Sequence, residues 1–148
     1  ANDTQTIKAF LEAEAYDGPS LLICYSHCIA HGYDLIHGLD QQKAAVQTGY
    51  WPLMRYNPDL IKQGKNPLQL DSRAPSLSLD KYIYNETRYS MLRHSQPEVA
   101  KTLYGLAEED VRRRWKLYEY MGAMPGNGSD PAADAAKPVP AGAKEEKK

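Results

Sequence analysis

The sequence has almost no excess of charge of either sign, and this argues against one large class of functions. Its 18 Lys and Arg residues stand against 19 Asp and Glu residues, which gives a formal net charge of −1. A protein that binds nucleic acid through the phosphates needs a surplus of basic side chains on one face. We therefore predict that the chain does not bind nucleic acid.

Long apolar runs are missing as well. No run approaches the roughly 18 residues of a membrane-spanning helix, and the longest apolar stretch near the start, residues 21–25, has the length of a strand. The first residues, Ala1 to Gln5, show neither the basic region nor the apolar core of a signal peptide. We therefore predict no membrane association and no secretion signal. Because the chain does not begin with Met, we expect it to be a piece of a longer protein.

Cysteine is scarce, with two residues in a chain of 148. Two cysteines do not make a disulfide framework, and free thiols suit a reducing compartment. We therefore predict a cytoplasmic protein. Several chemical motifs are missing too: the sequence contains no Gly-rich phosphate loop after a strand, no Gly-x-Ser-x-Gly, no His-Glu-x-x-His and no Cys-x-x-Cys. It thus lacks the local signatures of the sites that these motifs mark.

The composition changes sharply near Gly122. Residues 123–148 contain no aromatic residue and four prolines, whereas all 11 Tyr and both Trp lie before them. A segment with so little apolar surface cannot offset the entropy lost on ordering. We predict a folding unit over residues 1–122 and a disordered C-terminal tail over residues 123–148.

The first part of the chain has the pattern of an α/β protein. Apolar residues at helical spacing predict a helix over residues 4–15, with Asp3 or Thr4 as its N-cap. The nearly continuous apolar stretch at residues 20–26 predicts a strand covered on both faces, as in a parallel sheet. Residues 26–38 then form a loop that leaves the carboxyl end of this strand, where α/β sheets usually place ligands.

The rest of the chain reads as short strands followed by helices. We predict a helix over residues 40–48 and strands at 51–56 and 68–70. One helix is predicted over residues 79–94, and its buried side comprises Tyr82, Met91 and Leu92. A long last helix is predicted to start near Pro97 and to continue to Met121. Ser95 and Glu98 fit a capping box at its start, since Ser95 can accept a free N–H there.

The densest cluster of reactive side chains contains Cys24, Cys28 and His31. Cys24 lies in the middle of the predicted strand, where a thiol is usually a small buried hydrophobic group. From the local pattern, Cys28 can be either a loop thiol or a metal ligand, since one cysteine can supply one corner of a cluster whose other ligands lie far away. An independent metal site made of these three residues would still lack the fourth ligand of a zinc site.

Several blocks of sequence agree, in order and spacing, with one known family. They comprise residues 12–20 leading into Tyr-Ser-His-Cys-Ile-Ala-His-Gly at 25–32, residues 41–43 followed by 49–53 and 55–56, and residues 65–72. Over residues 1–121 the chain resembles the C-terminal part of pyruvate:ferredoxin (flavodoxin) oxidoreductases. Each block is an irregular loop sequence and would be weak evidence for the family if it stood alone. Because several blocks agree in order and spacing, together they are specific to the family.

The resemblance implies an activity and a set of cofactors. The family decarboxylates pyruvate on thiamine diphosphate with Mg²⁺, transfers the acetyl group to coenzyme A and passes electrons through 4Fe–4S clusters to ferredoxin or flavodoxin. It implies a homodimeric enzyme, of which this chain is the closing portion of the α/β, transketolase-like thiamine diphosphate-binding domain. The diphosphate motif would lie N-terminal to Ala1, so the chain alone would be inactive. The residues leave open the acceptor, the direction of flux and the exact 2-oxoacid.

One functional residue carries over from this resemblance. Cys28 matches the family position that supplies the fourth ligand of the 4Fe–4S cluster nearest the thiamine, the other three cysteines lying upstream. The resemblance places Ser26, Ile29, His31 and Gly32 around the cluster, where backbone N–H groups could hydrogen-bond its sulfurs and tune its potential. Relatives often carry Asn at the position of Ala30, so this chain departs from the family there.

A second interpretation belongs to a different class of protein. The chain could be a non-enzymatic α/β packing or interaction module, in which Cys28 is an ordinary free thiol and the aromatic-rich half binds a partner chain. The two interpretations differ in whether Cys28 coordinates iron, and in whether the remainder of an enzyme precedes this segment.

Overall fold

The computed structural model describes residues 2–126, which form helices around a small two-stranded sheet. The elements, in chain order, are α1 (Asp3–Ala15), α2 (Gly38–Gln47), β1 (Met54–Tyr56), α3 (Asp59–Lys62), β2 (Leu68–Leu70), α4 (Asp80–Ile83), α5 (Thr87–Ser95) and α6 (Pro97–Ala123). Two 3₁₀ turns, Ile29–His31 and Leu35–His37, lie between α1 and α2. Of the predicted tail, residues 127–148 lie outside the described residues. No helix among residues 2–126 is both long enough and apolar enough to span a bilayer.

Helix α1 forms where it was predicted, but it starts one residue earlier. The cap is Asn2, whose side-chain oxygen accepts the N–H of Gln5 at 3.1 Å, so the prediction of Asp3 or Thr4 is wrong. The predicted apolar face is present, yet Ile7, Phe10 and Leu11 are each more than half exposed. Among the described residues, no element covers this face.

A polar network fastens α1 to the sheet instead. Arg55 on β1 donates to Glu12 on α1 at 2.6 Å and makes two 2.8 Å hydrogen bonds to Asp71. Partial burial by itself would raise the pKa of the Asp71 carboxyl, but hydrogen bonds from Arg55 and Gln5 outweigh it and hold that pKa below its ordinary value. Each of the three guanidinium nitrogens therefore donates to a carboxylate, and the side chain is only 17% exposed, which makes this contact stronger than an exposed ion pair.

The predicted strand at residues 20–26 is not formed within this part of the chain. The segment has no strand assignment, and residues 20–24 and 26 are exposed, with Leu21 83% and Ile23 73% exposed. A strand needs a neighbour to pair its backbone groups, and residues 2–126 provide none beside this segment. For the same reason Cys24 is exposed rather than buried, so the prediction of a small buried thiol is wrong.

The sheet that does form is antiparallel. Met54 pairs with Leu70, and Tyr56 pairs with Leu68. The strand predicted at 68–70 is confirmed, whereas the one predicted at 51–56 is shorter and starts at Met54. Pro52 lies within the missing part, and proline has no N–H for a ladder. The sheet rests against α6, where Leu70 lies beside Gly122.

The helix predicted at 79–94 is broken into α4 and α5. Glu86, just before α5, has extended backbone, and the side chain of Asn85 donates to the carbonyl of Lys81 at 2.7 Å. Tyr82 in α4 is fully buried as predicted, but Met91 in α5 is 65% exposed. The side of α5 that carries Met91 therefore faces solvent and does not extend the buried side of α4.

The start of α6 is confirmed at Pro97, but the predicted capping box is not formed. The helix has no side-chain cap, and the hydroxyl of Ser95 instead donates to the carbonyl of Met91 in α5.

The core lies between α2, α4 and α6. Its buried members are Ala45, Leu79, Tyr82, Ile83 and Val111. Partly buried aromatic side chains close it from the side of residues 25–51; they include Tyr25, Tyr50 and Trp51. This small core fixes the position of the loop that follows residue 25.

Candidate functional site

Cys28 lies at the start of the first 3₁₀ turn, and we call residues 28–32 the Cys28 turn. Its thiol is free and exposed, and its backbone is extended. The N–H of His31 donates to the carbonyl of Cys28 at 3.0 Å, and that of Gly32 to the carbonyl of Ile29 at 3.1 Å. As at any helix start, the N–H groups of Ile29 and Ala30 have no partner inside the turn. The turn therefore combines an accessible thiol with two adjacent backbone N–H groups that have no partner among residues 2–126.

The far end of the Cys28 turn is fastened to the start of α5. The carbonyl of Gly32 accepts the N–H of Thr87 at 2.9 Å and also the Thr87 hydroxyl. Gly32 has φ +73°, in the left-handed region, and a Cβ placed there would come within 2.6 Å of the Thr87 Cβ. Only glycine fits both the backbone conformation and the close approach of α5.

A buried carboxylate lies beneath the same turn. Glu86 is fully buried, and it accepts Arg88 Nε at 2.5 Å and Gln41 Nε2 at 3.1 Å. His31 Nδ1 lies 3.8 Å from Glu86 Oε1, beyond hydrogen-bond distance, and has no other partner among the described residues. Because a buried carboxylate is costly unless it is paired, these hydrogen bonds fix the junction of α4 and α5 to α2, beneath the turn.

The near end of the loop is fastened through Tyr25. Its hydroxyl is 2.5 Å from that of Tyr82, and Arg88 donates to it at 3.2 Å. The ring of Tyr25 packs on Trp51 with centroids 5.2 Å apart. Burial, followed by the hydrogen bond with Tyr25, raises the pKa of Tyr82 far above its ordinary value. The Tyr82 hydroxyl therefore acts as a neutral hydrogen-bonding group at this joint.

The structure brings together some of the predicted site residues. Ile29, His31 and Gly32 form the turn with Cys28, whereas the exposed Ser26 hydroxyl donates only to the next carbonyl, that of His27, at 3.3 Å. Among residues 2–126, no three His, Cys, Asp or Glu side chains come together in an arrangement that could hold a metal ion. The alternative of an independent site made of Cys24, Cys28 and His31 is therefore wrong.

Sequence reasoning missed Thr87, which bonds the turn, and it missed the residues that fix the start of α5 beside the turn, namely Gln41, Glu86 and Arg88. The only local signal was an acidic residue inside the aromatic-rich stretch from Tyr82 to Tyr89, and periodicity assigned that stretch to a helix. The Cys28 turn fits one ligand position of an iron–sulfur cluster, because it offers a single accessible thiol with backbone N–H groups beside it. The described residues do not supply the other ligands of such a cluster.

The chain was compared with known proteins. No protein-family model matches it. It is 57% identical over 121 residues to the pyruvate-flavodoxin oxidoreductase of Nostoc sp., and 58% identical over 123 residues to that of Trichormus variabilis. It is 44% identical over 119 residues to the pyruvate:ferredoxin oxidoreductase of Moorella thermoacetica. These matches cover 80–83% of this chain and 10% of each relative.

The chain thus spans about one tenth of the length of the curated relatives it matches. By their names, these relatives are enzymes that oxidise pyruvate and use flavodoxin or ferredoxin. The resemblance predicted from the sequence is confirmed: over about four fifths of its length, the chain is similar to a segment of the pyruvate-flavodoxin oxidoreductases.

Proposed function

We propose that this chain is the closing segment of an enzyme that oxidatively decarboxylates pyruvate with coenzyme A and delivers electrons to ferredoxin or flavodoxin. Its own contribution is Cys28, the last thiolate ligand of the 4Fe–4S cluster nearest the thiamine. The observation that carries the proposal is the 50–58% identity to pyruvate-flavodoxin oxidoreductases over four fifths of the chain. The enzyme would be cytoplasmic and homodimeric.

The geometry of the Cys28 turn supports this role. A cluster ligand must be an accessible thiolate held in one place, and Cys28 lies on a turn fastened through both Tyr25 and Gly32. The unused N–H groups of Ile29 and Ala30 are suited to hydrogen-bond cluster sulfurs, which shifts a cluster's reduction potential. When bound, the cluster would carry single electrons. The role of this chain would be to hold the Cys28 thiolate and the N–H groups of Ile29 and Ala30 in position.

The exposed apolar surface supports a segment that is completed by further polypeptide. The apolar face of α1 and the exposed residues 20–24, which have no helix or strand assignment, border an open cleft of about 850 Å³ that continues to β1. Large exposed apolar patches usually mark a surface that is covered in the complete protein. We infer that strands of a thiamine diphosphate-binding domain pair with residues 20–26. Thiamine diphosphate and Mg²⁺ would be held mainly by residues outside this chain.

The alternative of a non-enzymatic interaction module finds less support. It requires the aromatic-rich half to present its rings to a partner. Instead the rings of Tyr25, Tyr50 and Tyr82 pack on one another in the core, with Tyr82 fully buried.

A chimeric enzyme tests the proposed function. Residues 1–148 replace the matching segment of one of the flavodoxin-dependent relatives, and pyruvate- and coenzyme A-dependent flavodoxin reduction is measured. We expect activity within about tenfold of the parent enzyme, which corresponds to a loss of up to about 1.4 kcal/mol in transition-state stabilisation. The free chain should reduce no flavodoxin at all, because the rest of the machinery lies elsewhere.

The matched control is the parent enzyme with its segment deleted, which should be inactive. A chimera that folds and binds thiamine diphosphate yet holds no more iron than the deletion control would contradict the proposal. Pyruvate-dependent reduction by the free chain would contradict it as well.

A further inference from the structure

Glu86 is the only charged residue among residues 2–126 that is buried. Its carboxylate forms an ion pair with the guanidinium of Arg88, which donates from Nε. The two partners differ in exposure, since the Glu86 side chain is 1% exposed and the Arg88 side chain 32%. Solvent and salt screen an exposed charge far more than a buried one. The negative member of this pair therefore acts more strongly on its surroundings than the positive member.

This buried charge is held beside the Cys28 turn. Glu86 Oε1 lies 3.8 Å from Nδ1 of His31, a residue of the turn whose backbone N–H donates to the carbonyl of Cys28. The residue after Glu86 is Thr87, which bonds the carbonyl of Gly32 at the far end of the turn. A single residue thus links the carboxylate to each end of the segment that carries the Cys28 thiol.

Tyr33, directly after the turn, shows the sign of the electric field at this place. Burial raises the pKa of its hydroxyl above the ordinary value, the Glu86 carboxylate raises this pKa further, and Arg88 lowers it by less than Glu86 raises it. A negative charge on Cys28 raises it as well. The ion pair therefore leaves a net negative field beside the turn, at a hydroxyl that also senses the Cys28 side chain.

A fixed negative charge beside an iron–sulfur cluster makes the addition of an electron less favourable, because reduction makes the cluster more negative. Net charge and solvent exposure are among the properties that set a cluster's reduction potential. The acidic side chains that follow the turn in sequence, Asp34 and Asp40, are exposed and therefore screened. Glu86 is the carboxylate near Cys28 whose field solvent screens least.

We propose that the buried Glu86 carboxylate lowers the reduction potential of the 4Fe–4S cluster held by Cys28, and that Arg88 partly offsets this effect. The inference rests on the proposed function, since it requires Cys28 to be a cluster ligand. A lower potential makes the reduced cluster a stronger reductant, which suits the delivery of electrons to ferredoxin or flavodoxin.

Charge-neutralising variants of the chimeric enzyme test this inference by redox titration at fixed pH and salt, followed by electron paramagnetic resonance. The relevant cluster is the one whose signal is lost in Cys28→Ala. Glu86→Gln should shift its midpoint potential upward, because the amide oxygen can still accept from Arg88 but carries no charge. Arg88→Lys keeps the positive charge and should leave the midpoint near that of the parent chimera. If Glu86→Gln loses its iron, Arg88→Gln tests the same ion pair and should shift the midpoint downward.

The matched control is Asp110→Asn on α6, which removes one negative charge from an ion pair whose Arg113 side chain is 81% exposed. It should leave the midpoint unchanged, because solvent screens that pair. Iron per chain verifies that each variant keeps its clusters. A Glu86→Gln enzyme that holds the cluster at the parent midpoint would overturn this inference and leave the assignment of Cys28 standing. Full iron and an unchanged spectrum in Cys28→Ala would overturn both.

Discussion

Replacing Cys28 by Ala in the chimeric enzyme should remove the iron of one 4Fe–4S cluster and abolish flavodoxin reduction, while thiamine diphosphate remains bound. Alanine offers no thiolate, and a cluster held at three corners loses both stability and its ordinary potential. The Cys28 side chain is exposed, so its removal leaves no cavity in the core and the fold should persist. Iron and acid-labile sulfide per chain, together with the electron paramagnetic resonance spectrum of the reduced enzyme, measure the effect.

Cys24 provides a close control. It is the only other cysteine of the chain, lies four residues upstream and is also exposed in the described residues. Cys24→Ala should retain all iron and nearly full activity, because no cluster role is assigned to it. Equal iron in the Cys28 variant and the parent chimera, with normal flavodoxin reduction, would contradict the assignment of Cys28.

Replacing Gly32 by Ala should destabilise the Cys28 turn and lower the iron content of the chimera in parallel. An alanine at φ +73° costs on the order of 1–2 kcal/mol. Its Cβ would also lie 2.6 Å from the Thr87 Cβ, so α5 or the turn must move. We expect a total decrease of about 2–3 kcal/mol in the free energy of unfolding, measured by urea denaturation of the chain.

Gly105 is the matched control for this substitution. It lies inside α6, and a Cβ there would meet no atom within 4 Å. Gly105→Ala should therefore raise the free energy of unfolding by about 0.5–1 kcal/mol, since glycine is a poor helix former. If both substitutions had the same effect, the left-handed turn and the Thr87 contact would not constrain the loop.

Local patterns predicted the elements whose signals are contained in a few adjacent residues. The apolar spacing and the turn after Ala15 located α1, and Pro97 marked the start of α6. Residues 20–26 show where such patterns mislead within this chain. Their apolar run is that of a buried strand, but burial depends on neighbours, and residues 2–126 contain no strand beside them.

Tertiary partners explain the other differences. The helix predicted over 79–94 breaks because Glu86 turns inward to Gln41, which lies 45 residues earlier in the chain. Gly32 and Thr87 are 55 residues apart, so no local pattern could show that α5 holds the Cys28 turn. Cys28 itself was assigned by family resemblance, since from the local pattern its thiol was ambiguous.

The most direct test of the central claim is an experimental structure of the complete enzyme with its clusters bound. We predict that the Sγ of Cys28 is bonded to an iron of the 4Fe–4S cluster nearest the thiamine, with the N–H groups of Ile29 and Ala30 beside the cluster sulfurs. A Cys28 Sγ that faces solvent, away from every cluster, would contradict the account.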